Sequence, residues 1–148
     1  MKVKDIMSRS LVRTGPGYTI KEVGRFLLKH RVNSMPVVDN QDRLLGIITQ
    51  ADIFRTILPS QDELFREKKY WDFEKIEERS QGVAKMKVEK VMSKSVITVE
   101  EDTPVVQAGS TMLLKKIKQL PVVKGEKLTG IVTLADIIEA LIISVPKE

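Results

Sequence analysis

Nine residues written twice constrain this chain more than any other feature. Leu45-Gly46-Ile47-Ile48-Thr49-Gln50-Ala51-Asp52-Ile53 returns 84 residues later as Thr129-Gly130-Ile131-Val132-Thr133-Leu134-Ala135-Asp136-Ile137. Each copy follows a similar run, Met35-Pro36-Val37-Val38 or Leu120-Pro121-Val122-Val123. Segments that recur in the same order point to two similar units, and 148 residues suit two half-domains sharing a core.

Each nine-residue copy reads as an apolar strand running into a helix. Thr49 or Thr133 is then the helix N-cap, and Asp52 or Asp136, three residues on, closes a capping box by reaching back to the cap amide. The same geometry has a functional use. A hydroxyl and a carboxylate one turn apart can hydrogen-bond a ribose diol, while amides at the helix start attract a phosphate. A single Thr-x-x-Asp does not choose between cap and ligand site, but two copies in the same surroundings favour a ligand.

The residue inventory removes several chemistries. With no Cys and one His, thiolate nucleophiles and Cys/His zinc sites are excluded, and any Ser-His-acid triad would have to use His30. His30 lies in Leu27-Leu28-Lys29-His30-Arg31, the polar end of an expected helix, where a solvated surface residue is the natural reading. No apolar run approaches the ~20 residues of a membrane span. Met1-Lys2-Val3-Lys4-Asp5 meets an acid at once and has no apolar stretch like that of a signal peptide, so a cytoplasmic location is expected. The formal net charge of +5 favours an anionic partner without naming it.

In chain order, Val3-Lys4-Asp5-Ile6-Met7-Ser8 matches Val88-Glu89-Lys90-Val91-Met92-Ser93, and both read as short helical lead-ins. Leu11 to Thr14 and Val96 to Val99 read as first strands. Helices follow, with Thr19 before Ile20, Val23 and Leu27, and Thr103-Pro104 before Val105, Ala108 and Met112, apolar at three-to-four-residue spacing. A hairpin then closes each half into a last helix, Gln50 to Leu58 or Leu134 to Val145. Pro36 and Pro121 cannot donate to a ladder, which places that end of the strand at an edge or facing a cavity. The expected architecture is α/β, or α+β-like, with two repeats of helix-strand-helix-strand-strand-helix order.

The repeats span 1–58 and 87–148, and 59–86 has no counterpart. That linker holds Phe65, Tyr70, Trp71 and Phe73 among charges of alternating sign, too aromatic for a disordered tether, so one or two helices packed on the repeats are expected. A strip for single-stranded nucleic acid is the sharper reading, but Asp62, Glu63, Glu67, Asp72, Glu74, Glu77 and Glu78 would repel phosphates. Ile137-Ile138-Glu139-Ala140-Leu141-Ile142-Ile143 is apolar on almost every side, which points to a subunit interface or to internal burial.

These residues resemble a known family, the paired CBS (cystathionine β-synthase) domains of the Bateman module. The likeness rests on Met7 and Met92, on Pro36-Val37-Val38 and Pro121-Val122-Val123, and on Gly46-x-x-Thr49-x-x-Asp52 and Gly130-x-x-Thr133-x-x-Asp136. It covers nearly everything outside the linker. The resemblance implies two repeats about a pseudo-twofold axis, clefts for AMP, ADP, ATP or S-adenosylmethionine, frequent pairing into homodimers, and sensing of energy or metabolite state without catalysis. It implies that Asp52 and Asp136 hold ribose hydroxyls and that Thr49 and Thr133 contact ribose or the first phosphate. The base would lie against Val32 and Met35 before Pro36, or Ile117 and Leu120 before Pro121, with backbone from Val12 to Thr14 or from Ile97 to Val99 reading its edge.

Where relatives often carry basic residues before the proline, the first half offers Asn33 and Ser34. The second offers Lys118 and Gln119, with Lys115 and Lys116 a turn earlier, so the second cleft is expected to prefer the more phosphorylated ligand. The reading is therefore a stand-alone regulatory module for an adenosyl ligand, with no required cofactor, no membrane partner and an unidentified regulated protein. A basic nucleic-acid or anionic-surface binder is the alternative, and nucleic acid is the less expected partner.

Overall fold

The computed structural model describes residues 1–58 and 71–144. Within them the chain forms two compact units that cross the repeat limits. One contains Met1–Leu11, Asn40–Leu44 and the second repeat from Val96; the other contains Val12–Asp39 and Leu45–Ser95. Each hairpin is thus completed by the lead-in of the other repeat. The limits 1–58 and 87–148 stay a proposal about sequence units.

The unit built on the first repeat contains α1 (Ile20–Lys29), β1 (Ser34–Val38), β2 (Leu44–Thr49), α2 (Gln50–Ile57) and α3 (Phe73–Lys85). Thr19 caps α1 by accepting from the Glu22 amide at 3.2 Å. The apolar stripe of α1, Ile20, Val23 and Leu27, packs with Met35, Val37, Ile48, Val83 and Val88. Each such fully buried side chain contributes roughly 1.5–3 kcal/mol. The expected linker helix is present as α3, which buries Val83; the aromatic positions Phe65 and Tyr70 lie outside the described residues. The lead-in Val88–Lys90 is a 3₁₀ turn, and Ser93 exchanges two backbone bonds of 2.9 Å with Ile47 of β2. Met92 then lies over Gly46, where an added Cβ would come within 2.6 Å of the Ser93 carbonyl oxygen.

The unit built on the second repeat contains β3 (Val99–Glu100), α4 (Val105–Lys115), β4 (Gln119–Lys124), β5 (Lys127–Thr133) and α5 (Leu134–Ile138). Its sheet runs β3-β4-β5, parallel then antiparallel. Its core gathers Val99, Val105, Ala108, Met112, Leu120, Val122, Val132 and Ile137 with Val3 and Met7 of the first lead-in. Ser8 exchanges two bonds with Ile131, at 2.9 and 3.0 Å, as Ser93 does with Ile47.

Four expectations need correction. The lead-ins are short and helical as expected, each a 3₁₀ turn, but the first strands shrink to a single bridge, Thr14 with Val37, and to two residues in β3. Thr103 does not cap α4; Pro104 holds the cap position, and the Thr103 carbonyl accepts from the Val3 amide at 2.8 Å instead. The last helix turns into a π-helix over Glu139–Ile143, and Val145 lies outside the described residues. Pro121 is buried in the central strand of its sheet, opposite Ile131. It fits there because the Ile131 N–H and C=O both point away to Ser8, so the Pro121–Ile131 pair needs no donor from proline. Pro36 is buried as well, in the two-stranded sheet β1-β2, and its carbonyl accepts from the Thr14 amide at 3.0 Å.

Candidate functional site

The two Thr-x-x-Asp segments form complete capping boxes. In the first, the Asp52 amide donates to Thr49 Oγ1 at 3.0 Å and the Thr49 amide donates to Asp52 Oδ2 at 3.2 Å. In the second, the matching distances are 3.0 Å and 2.9 Å between Asp136 and Thr133. The amide of the first helical residue is also engaged: Gln50 donates to the Asn33 carbonyl and Leu134 to that of Lys118, both at 2.9 Å. These bonds join each helix start to the segment before its proline, so Asn33 and Thr49–Asp52 come together, as do Lys118 and Thr133–Asp136.

The caps change what the helix ends can offer. Of the four amides at the start of α2, only that of Ala51 lacks an acceptor among the described residues, and Ala135 is its equivalent in α5. A phosphate would therefore find one free backbone donor at each site, and further stabilisation must come from side chains.

The carboxylates differ in their second oxygen. Asp52 Oδ1 accepts from Arg55 Nη1 at 3.2 Å, in a pair whose arginine side chain is 52% exposed. Asp136 Oδ1 has no partner among the described residues, because the position matching Arg55 is Glu139, which binds Ser144 Oγ through its own Oε1 at 2.8 Å. Both carboxylates are half-buried, and a half-buried oxygen without a donor is a place for a ligand hydroxyl.

The remaining sequence-derived positions divide by accessibility. Val32 and Ile117 are half-buried at the margin of their cores and can present an apolar surface to a base. Met35 and Leu120 are fully buried, and Pro36 and Pro121 are buried too, so these four offer little side-chain surface. Thr14 commits its N–H and C=O to Pro36 and Val38, and Val99 pairs with Val122, which leaves Val12 and Ile97 as the backbone positions outside the ladders. Ser34 and Gln119 begin β1 and β4. Lys115, Lys116 and Lys118 are exposed.

The Thr14 side chain stands out in a second way: it is 4% exposed and its Oγ1 has no hydrogen-bond partner among the described residues. Such an orphan costs ~1–3 kcal/mol unless something supplies the bond. The equivalent Val99 carries no polar atom. Sequence reasoning passed over Arg55 and Glu139; the signal was their spacing of three residues from the aspartates, within reach of the same helix face.

The CBS domain family profile matches residues 3–59 and 88–143. An uncharacterized protein of Methanocaldococcus jannaschii is 36% identical, covering 96% of this chain and 92% of its own length. The crystal structure of the CBS domain pair of protein MJ0100, in complex with 5'-methylthioadenosine and S-adenosyl-L-methionine, is 30% identical with a TM-score of 0.66, covering 95% of this chain and 94% of that one. That of CBSX2 in complex with AMP is 25% identical with a TM-score of 0.71, covering 94% of each chain.

Proposed function

Since the chain belongs to the CBS domain family, we propose that it is a regulatory module that binds an adenosine-containing ligand and passes occupancy on to a partner protein without catalysing a reaction. The observation that carries this reading is the paired Thr-x-x-Asp box, with Asp136 Oδ1 open to a ribose hydroxyl and both boxes bonded to the segment before the proline. Two similar structures that hold AMP, or S-adenosylmethionine with methylthioadenosine, support the ligand class.

In this reading Asp52 and Asp136 accept from the ribose diol while the cap amides hold them in place. Thr49 and Thr133 lock the helix start, Val32 and Ile117 flank the base, and Thr14 offers its buried hydroxyl to a polar ligand atom. Binding reaches a partner because the same aspartates tie helix to hairpin, so a ligand that pulls on the carboxylate also pulls on the helix start. The module pairs with a second copy through its helices. Ile138, Ile142 and Ile143 are 48%, 75% and 66% exposed, and α1 with α2 presents Leu28 and Phe54 beside an apolar groove of about 380 Å³. No helix among the described residues is long and apolar enough to cross a membrane.

Calorimetric titration of the chain with AMP, ATP, S-adenosylmethionine and RNA, side by side, tests the function. Saturable binding of an adenosyl ligand is the expected result. Salt-dependent RNA binding with no adenosyl response would overturn it, and a monomer at micromolar concentration in light scattering would overturn the pairing.

A further inference from the structure

Arg55 and Glu139 occupy the same place relative to the two aspartates and carry opposite charges. At the first site the guanidinium is 3.2 Å from Asp52 Oδ1. At the second, a carboxylate stands one turn beyond Asp136 and no cation pairs with Asp136 among the described residues. The strand position before Thr14 repeats the contrast, Arg13 in the first repeat against Thr98 in the second.

We propose that the two sites select ligands by charge: the Asp52 site takes a phosphorylated nucleoside, and the Asp136 site takes a neutral or cationic adenosyl compound. Arg55 and Glu139 are the residues that decide. This rests on the adenosine reading above and reverses the preference expected from Lys115, Lys116 and Lys118, which project into solvent.

The argument follows what each ligand displaces. To reach Asp52 Oδ1, a ribose hydroxyl must share it with or take it from Arg55. The half-exposed ion pair opens readily, but the released guanidinium then needs an anion. A 5'-phosphate supplies one, and the planar fork can grip two of its oxygens. Adenosine supplies none and leaves the arginine without a partner. At the second site nothing has to be displaced, because Asp136 Oδ1 is open. A dianionic phosphate there meets Glu139 and a single free amide, that of Ala135. A ligand without phosphate avoids the repulsion, and a sulfonium is attracted by both carboxylates. One unit charge several ångströms away in a half-exposed site changes affinity about tenfold at low salt.

The test is calorimetry on the full chain with three probes, AMP, 5'-methylthioadenosine and S-adenosylmethionine, for wild type, Arg55→Glu and Glu139→Arg. Wild type should bind AMP and S-adenosylmethionine together, neither displacing the other. Arg55→Glu, which changes the charge by two units, should lower AMP affinity about a hundredfold at low salt and leave S-adenosylmethionine within about twofold. Glu139→Arg should weaken S-adenosylmethionine and create a second AMP site. Arg55→Gln, which removes a charge without adding one, should show a smaller AMP loss of the same sign and serves if Arg55→Glu does not fold.

Competition between AMP and S-adenosylmethionine for one site, or equal effects of each variant on all three probes, would overturn the proposal while the adenosine reading stands. If no probe binds wild type, the adenosine reading falls and this proposal with it.

Discussion

Asp52 and Asp136 close the same capping box, but the first has both oxygens engaged and the second keeps one open. The same asymmetry extends into the interior, where Thr14 buries a hydroxyl with no partner among the described residues and Val99 buries a methyl group. A duplicated motif therefore preserved the bonds that build the helix start, which both copies need. The groups facing a ligand diverged. The backbone frame of one site can be read from the other, but its chemistry cannot.

The largest expected effect breaks the likeness of the two hairpins. A Cβ on Gly46 would meet at 2.6 Å the carbonyl oxygen of Ser93, a residue held by two backbone bonds to Ile47, whereas on Gly130 its nearest neighbour, at 2.5 Å, is the flexible Met7 sulfur and the Ser8 carbonyl oxygen is 3.0 Å away. Gly46→Ala should cost ~2–3 kcal/mol in chemical denaturation and Gly130→Ala distinctly less, because a methionine side chain can turn aside. Equal losses would mean that the two close approaches are alike.

Next come the carboxylates. Asp136→Ala should lose ~0.5–2 kcal/mol of stability with its cap bond, and ~1–3 kcal/mol of adenosyl affinity as a ribose hydroxyl loses its acceptor. A fall in melting temperature with unchanged affinity would leave Asp136 as a cap alone. Asp52→Ala should lose stability similarly and weaken AMP at its own site, but by less than Asp136→Ala weakens S-adenosylmethionine, because the freed Arg55 guanidinium still holds the phosphate.

Thr14→Val makes the first site resemble the second. Removing an unpaired buried hydroxyl should raise stability by ~1 kcal/mol in the absence of ligand and weaken binding at the first site by a similar amount. A variant that is less stable would show that the hydroxyl has a partner in solution, such as a bound water.

The smallest effect concerns the lead-in of the first repeat. The hydrogen bond from Lys4, its charge and that of Lys2 hold the Asp102 carboxyl below its ordinary range, and Asp102 raises Lys4 in turn. A depressed carboxylate stabilises the fold above the usual carboxylate pKa and loses that contribution as pH falls through its lowered value. Asp102→Asn should therefore change the melting temperature slightly at neutral pH and not at all in strong acid. Both side chains are well exposed, and the neutral-pH effect should shrink with added salt.

Most of the frame was legible in sequence because it rests on local chemistry. Thr19, Thr49 and Thr133 cap where a hydroxyl precedes an apolar periodic run, and the stripe of Ile20, Val23 and Leu27 faces its core as 3.6-residue spacing requires. Thr103 misled because the Met1 carbonyl accepts the Val105 amide, and that acceptor lies about a hundred residues away in sequence. Pro121 misled for a related reason. Whether a strand can spare a donor depends on which way its neighbour's amides point, and Ile131 turns its own toward Ser8.

The sequence by itself determined the duplication, the capping boxes, the apolar faces and the exclusion of thiol and zinc chemistry. Only the tertiary structure decided that Met7 packs on Gly130 and Met92 on Gly46, and that Pro121 is central. The physical reason is degeneracy. Both lead-ins carry the same pattern and both hairpins offer the same glycine and the same strand edge, so local preference cannot say which copy meets which. Packing of the whole chain settles that choice.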